Sequence, residues 1–280
     1  MTDFGGAIKK TDNYHIAILG IPFDEKSSYL KGASLGPKAI REASTSRSIN
    51  AWTELAVNLE EDTIIADLGD LTLRGSVSEI FAHIEEKVLN IIEKGVIPVI
   101  LGGDHSISYP IVKAFFQKYQ PLDILHFDAH PDLYEELFGD RLSHGCPFTR
   151  IMEERLAKNL VQVGIRAKVG EHEEKAKKFK IKMIEMKDLP DNLSLRFENP
   201  LYISFDLDAL DPAFAPGVSH HEPGGLTTRQ VIQIIHRLKA QIVGVDVVEL
   251  NPTRDASGIT ASAAVKIIME IMGKIVLQQR

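Results

Sequence analysis

Two rhythms of apolar residues alternate from one end of this chain to the other. Continuous apolar runs at 15–21, 63–68, 96–101, 123–127, 160–165, 181–186, 201–206 and 241–249 read as eight strands. Runs that do not alternate apolar with polar residues mark strands covered on both faces, which predicts a mainly parallel sheet. Between the runs, apolar positions return every three or four residues. Ile80, Ile84, Val88 and Ile91 or Ile92 define a long amphipathic helix that Ser76 opens and Gly95 ends. Further helices are expected at 38–43, 106–119, 171–179, 227–238 and 259–277, and another runs to 157 after the 144–148 segment. The lysines and glutamates of 171–179 read as a solvated helix face. Strand and helix alternate throughout, so the fold expected is α/β, with helices on both faces of the sheet. The chain has no internal repeat, low-complexity stretch or linker rich in Pro, Gly or Ser, and one domain spanning 1–280 is expected.

Three of the runs end in the same kinds of polar residue. The strand from Leu201 runs into Asp206, Asp208 and Asp211; in extended chain Asp206 and Asp208 share one face while Leu207 turns back to the core. After the strand at 123–127, Asp128, His130 and Asp132 repeat at a spacing of two. After the strand at 96–101, Gly102 and Gly103 suit a sharp turn at positive φ that presents His105. Each motif alone also fits a turn or cap, with Asp104 as a capping carboxylate. Their agreement at the carboxyl ends of three strands, where open parallel sheets build sites, favours one shared site.

Carboxylates crowded on one face repel, and a divalent cation is the commonest reason to place them so. His105, Asp128, His130, Asp132, Asp206 and Asp208 are too many donors for one tetrahedral zinc. Oxygen donors with some imidazole suit Mn²⁺ first, then Zn²⁺, Fe²⁺ or Co²⁺, and four anions suit two ions better than one. A pair of such ions generates hydroxide near neutral pH, so the chemistry implied is hydrolysis. Bulk properties narrow the partners. The 280 residues are 44% apolar, ample for a core, and the net charge of −7 argues against nucleic acid and anionic membranes. Cys146 is the only cysteine, which excludes an internal disulfide and a thiolate metal cage. The first ten residues show no basic segment followed by an apolar one, and no run spans a bilayer. A soluble, cytoplasmic protein is expected.

The chain resembles the ureohydrolases, the arginase and agmatinase family, in Gly102 to Ser106, Asp128 to Asp132 and Ser204 to Pro212. The likeness extends to His144–Phe148, Glu222–Thr227 and Asp246–Pro252, and so covers most of the chain. It implies a three-layer α/β/α sandwich around an open eight-stranded sheet, two Mn²⁺ ions and a homo-oligomer, trimer or hexamer. It also implies ligand sets of His105, Asp128, Asp132 and Asp206 for one ion and Asp128, His130, Asp206 and Asp208 for the other. A metal-bridging hydroxide would attack the guanidinium carbon, with Asp132 taking its proton. His144 matches the proton-shuttling histidine and Glu249 the carboxylate that pairs with the guanidinium; Glu222 is grouped with them as substrate-binding. Cys146 is expected as a small packed residue, His126 as a core histidine on the face opposite Asp128, and His220 and His221 as loop surface.

The 133–143 loop, between Asp132 and His144, is expected to form the rim. Glu135, Glu136 and Asp140 there would favour a cationic tail, whereas Arg141 would hold an α-carboxylate. The first expectation is therefore hydrolysis of agmatine to putrescine and urea, with arginine as the alternative and guanidinobutyrate behind it. A phosphatase would need basic groups where this chain offers Glu249 and acids, and an inactive relative would not need all six donors.

Overall fold

In the computed structural model residues 4–5, 13–47 and 49–279 are described. Residues 1–3 and 6–10 of the segment read for a leader lie outside them. The strands are β1 (Ile16–Gly20), β2 (Ile65–Asp70), β3 (Ile97–Leu101), β4 (Asp123–Phe127), β5 (Asn159–Ile165), β6 (Lys182–Glu185), β7 (Leu201–Asp206) and β8 (Ile242–Val248). The helices are α1 (Gly36–Ser44), α2 (Val77–Glu93), α3 (Ser108–Lys118), α4 (Pro147–Glu153), α5 (Gly170–Phe179), α6 (Thr228–Arg237) and α7 (Ile259–Gln279). All eight strands pair in parallel, in the order β2-β1-β3-β8-β7-β4-β5-β6. The three-layer α/β/α sandwich is thus present.

Alternate side chains along each strand feed two cores. Ile16, Ile18, Val99, Leu125, Phe127, Ile203 and Val245 pack with α1, α6 and α7 on one face. Ala17, Leu19, Ile100, Ile124, Tyr202 and Val243 pack with α2, α3 and α4 on the other. Each aliphatic side chain so buried contributes roughly 1.5–3 kcal/mol; the edge strands β2 and β6 are partly exposed. The expectation at α2 holds in detail: Ser76 and Glu79 form a reciprocal capping box, and Gly95 follows the helix at φ 78°. None of the helices among the described residues is long and apolar enough to cross a membrane.

The strand order has a functional consequence. Going from β3 to β4 the chain leaves a gap that β7 and β8 later fill, so β3, β8, β7 and β4 lie side by side at the centre. All four deliver polar residues at their carboxyl ends, in the crevice that such a change of direction opens.

Candidate active site

His105 opens a short 3-10 turn (His105–Ile107) straight after β3. The glycines before it act differently from the sequence expectation, since neither Gly102 nor Gly103 has positive φ. Close approach is the reason they are glycine: a Cβ on Gly103 would lie 1.7 Å from the Phe23 carbonyl oxygen, and one on Gly102 would lie 2.5 Å from Val248 Cγ1. Asp104 is the cap. Its carboxylate accepts from the Ser106 backbone and hydroxyl at 3.1 and 2.5 Å, and from Lys26 N at 2.9 Å, tying the loop after β1 to the end of β3. Burial, and then Glu249, push Asp104 up to about 6.

The backbone beyond β4 and β7 is not extended, as the spacing-of-two argument assumed. β7 ends at Asp206, and Asp208 projects from a 3-10 turn (Leu207–Ala209) whose backbone N–H at Asp208 donates to Asp206 Oδ1 at 2.8 Å. Asp132 has φ 52° and Glu249 φ 64°. Left-handed backbone at such non-glycine residues costs on the order of 1–3 kcal/mol, and persists where surrounding structure imposes it. Here it turns two carboxylates back into one crevice.

At its floor, His105 Nδ1 lies 3.2 Å from Asp128 Oδ2, 3.0 Å from Asp132 Oδ2 and 3.1 Å from Asp206 Oδ2. That nitrogen is fully buried and makes no hydrogen bond. On the other side of the ring Nε2 is 2.9 Å from Ser204 Oγ, which donates onward to Asp246 Oδ1 at 2.7 Å, so His105 carries its proton on Nε2. A lone pair then faces three carboxylate oxygens, an arrangement that a cation at their centre satisfies. A second cluster joins the first through the other oxygen of Asp128. His130 Nδ1 is 3.4 Å from Asp128 Oδ1 and 3.0 Å from Asp208 Oδ2. The donor atoms of Asp128, His130 and Asp208 all lie within 4.8 Å of one another. The donor set therefore fits divalent ions on both sides of Asp128.

Electrostatics point the same way. Burial would raise Asp128, but His126 and His105 outweigh it and hold it well below the usual carboxylate range. Asp206 and Asp208 move upward, first through burial and then through neighbouring carboxylates, Asp208 to about 6. The imidazoles do not balance this many buried acids, and cations would.

His126 was expected on the opposite face from Asp128. It is buried, but residues two apart in a strand share a face, and His126 Nε2 lies 2.7 Å from Asp128 Oδ2. Gln162 of β5 donates to His126 Nδ1 at 2.9 Å and to the Pro131 carbonyl at 2.6 Å, and Phe148 stacks on the imidazole at 3.9 Å.

One wall is His144 and Glu249. His144 Nδ1 is 2.9 Å from Glu249 Oε1, which also accepts from His105 N at 3.0 Å, and His144 Nε2 is 2.8 Å from Ser28 Oγ. Burial would lower His144, but Glu249 prevails and lifts it to about 9. The remaining lining is Tyr134, Leu137, Phe138 and Gly145, with Ser28 and His220 at the mouth, around a cavity of about 230 Å³. Glu222 stands at the edge, 3.7 Å from His130 Nε2. Cys146 is buried, and burial pushes its thiol up to about 12.

The rim differs from the sequence expectation. Arg141 pairs with Glu135 and Glu153, and Glu135 also holds Arg150 at 3.0 Å and Lys175 at 2.5 Å. Asp140 pairs with Lys26 at 2.7 Å, and Glu136 is exposed. None of these four lines the pocket. His220, expected at the loop surface, does line it, whereas His221 is exposed and bonds the Pro216 carbonyl at 2.7 Å. Sequence reasoning passed over Ser28 and Gln162, and gave no role to Ser204 and Asp246, although both open motifs it named and Asp246 is a carboxylate inside the apolar run of β8.

A parallel sheet with carboxylates and imidazoles converging at its central strand ends has the layout of a metal-dependent α/β hydrolase. The model of the arginase family matches residues 14–273. Arginase 1, mitochondrial, of Arabidopsis thaliana is 44% identical, over 97% of this chain and 82% of the relative. An agmatinase of Bacillus subtilis is 36% identical, over 91% and 90%. The solved arginase of Medicago truncatula superposes with a TM-score of 0.88 at 41% identity, covering 93% of this chain and 87% of that one. The chain belongs to the arginase family, and as a ureohydrolase it acts on guanidino substrates. The cytoplasmic expectation is overturned by the Arabidopsis thaliana relatives, which are named mitochondrial and chloroplastic/mitochondrial. It had rested on the lack of an apolar leader, but segments that direct proteins to organelles are amphipathic and Arg- and Ser-rich.

Proposed function

We propose that this ureohydrolase hydrolyses arginine to ornithine and urea, using two Mn²⁺ ions. The observation that carries the substrate is the arginase 44% identical over 97% of the chain. Agmatine loses its support because, of the acidic side chains invoked for it, Glu135 and Asp140 are tied up in ion pairs and Glu136 is exposed, all three away from the pocket. Arg141 drops out as a carboxylate anchor for the same reason.

His105, Asp128, Asp132 and Asp206 would hold one ion, and Asp128, His130, Asp206 and Asp208 the other. When bound, the ions supply Lewis acidity and a water of lowered pKa at neutral pH. The rest falls to side chains. Glu249 keeps Oε1 on His144 and the His105 backbone, leaving its second oxygen for the N–H groups of the guanidinium. Asp132 sits between floor and wall, where it can take the proton of the attacking water. His144, paired with Glu249 and open to the pocket, carries a proton to or from the departing amine. Tyr134, Leu137 and Phe138 shield the methylenes of the substrate. The protein is also proposed to form a homo-oligomer, a trimer or hexamer, which light scattering would test.

The test is urea release by Mn²⁺-loaded protein from arginine, agmatine and 4-guanidinobutyrate side by side. A higher kcat/KM for arginine is expected; preference for agmatine would overturn the substrate assignment and leave the reaction class standing.

A further inference from the structure

An amino-acid substrate poses a problem that the pocket does not answer at first sight. Four carboxylates, those of Asp132, Asp206, Asp208 and Glu249, line it, and among the described residues no lysine or arginine does. The α-ammonium of arginine is at home beside such walls, but its α-carboxylate needs donors. Besides the Tyr134 phenol on the wall, two polar side chains, at the mouth, lie outside the ion-binding and proton-carrying set: His220 and Ser28.

The placement of His220 is built. On one side Ser219 Oγ donates to the Leu30 carbonyl at 2.9 Å and accepts from Asn251 Nδ2 at 2.9 Å. On the other, the Arg166 guanidinium donates to the Glu222 carbonyl at 2.5 and 2.8 Å while also gripping the Asp208 carbonyl at 2.7 Å. The backbone around His220 is thus fixed both to the loop carrying Ser28 and to the turn carrying Asp208. The imidazole itself has no hydrogen bond among the described residues. Its ring lies 5.3 Å from that of His144, 5.8 Å from that of His130 and 5.7 Å from exposed Tyr29. It therefore runs from the reacting end of the pocket to its opening, along the path that a substrate tail must take.

Ser28 complements it. With the His144 imidazole cationic, its Nε2–H donates to Ser28 Oγ across their 2.8 Å, and the Ser28 hydroxyl hydrogen is left to donate elsewhere. A neutral imidazole also keeps one N–H, so His220 donates without having to ionise.

We infer that His220, together with Ser28 at the same mouth, is the specificity-determining pair that binds the α-carboxylate of the substrate. The inference rests on the arginine reading above. A hydrogen bond to a charged group, once lost, weakens binding by roughly 10- to 100-fold.

The experiment uses the full Mn²⁺-loaded chain as wild type, His220→Ala and His220→Asn. Arginine KM and kcat are measured along with the inhibition constant of ornithine, which keeps the amino-acid end and lacks the guanidino group. In His220→Ala, KM and the ornithine constant should rise together by about 10- to 100-fold, with kcat within roughly threefold and metal content unaltered. His220→Asn, which keeps a side-chain N–H, should recover most of the loss. Unchanged KM and ornithine binding would overturn the inference, as would a fall in kcat at constant KM, which would put His220 in the chemistry. A wild type that uses agmatine and not arginine would overturn the substrate reading instead. Ornithine then judges His220 alone: weaker binding to His220→Ala supports it, and equal binding, or none to the wild type, overturns it.

Discussion

The floor of the pocket and its rim are held by different kinds of contact. Behind the floor, His105 rests on Ser204 and Asp246, and Asp246 in turn accepts from Ser108 at 2.6 Å and from the Tyr202 hydroxyl. Asp128 rests on His126, which Gln162 holds in turn, and all of these side chains are buried. The rim segment 133–143 has a few local hydrogen bonds, such as Tyr134 N to the Gly145 carbonyl at 3.1 Å, and its side chains are tied by ion pairs in which Arg141 and Glu135 are 53% and 41% exposed. Buried hydrogen bonds are costly to leave half made, while exposed ion pairs contribute about 0–1 kcal/mol. Geometry at the floor is therefore set by the sheet, and geometry at the rim can drift without unfolding anything. That division suits an enzyme family in which one reaction is kept and the tail of the substrate changes.

The largest effect should come from the residue shared by both clusters. Asp128→Asn keeps the shape of the side chain and removes the negative charge that each cluster uses. Urea release is expected to fall on the order of a thousandfold, and metal analysis should show loss of bound Mn²⁺ in parallel. Retained metal with retained activity would remove the two-ion assignment altogether.

One layer further out the effect should be smaller and mainly on affinity. His126→Phe preserves the stack on Phe148 and deletes the donor to Asp128. Supporting residues of this kind typically change metal affinity by about 10- to 100-fold. Chelator competition should show that loss while circular dichroism stays native. If His126→Phe binds Mn²⁺ as tightly as the wild type, the floor does not depend on its supports, and the contrast with the rim weakens.

How much of this was readable in the sequence follows the same division. The eight strands and the donors at their ends were legible because a strand end and the residues after it are neighbours in sequence, so motif and place coincide. Local backbone was less so. Asp208 and Asp132 reach the floor through a 3-10 turn and a left-handed residue, neither of which the spacing announces. Partners far apart along the chain were invisible. Ser28 meets His144 across 116 positions and Ser204 meets His105 across 99, and no pattern within one segment encodes those meetings. For the rim, composition actively misled. Glu135 and Arg141 looked like opposite arguments about the substrate, and in the folded chain they satisfy each other.

The smallest effect belongs to that rim and depends on pH. Glu135 is held down to about 2, chiefly by its hydrogen bond from Lys175 and then by Arg150, against an ordinary 4.5. A carboxylate whose folded pKa is depressed lends stability that is present above the unfolded value and lost as pH falls through the folded one. The tie on 133–143 should therefore weaken between about 4.5 and about 2 and be intact at neutral pH. Because Glu135 is 41% exposed, solvent screening keeps the contribution below about 1 kcal/mol. Glu135→Gln should mimic the acid state at pH 7: faster hydrogen exchange in 133–143, a melting temperature lower by no more than about 2–4 °C, and unchanged Mn²⁺ content. Arginine KM should stay within about threefold, since Glu135 does not line the pocket. Metal loss in this variant would mean that the rim supports the floor after all, and the two regions would have to be treated as one.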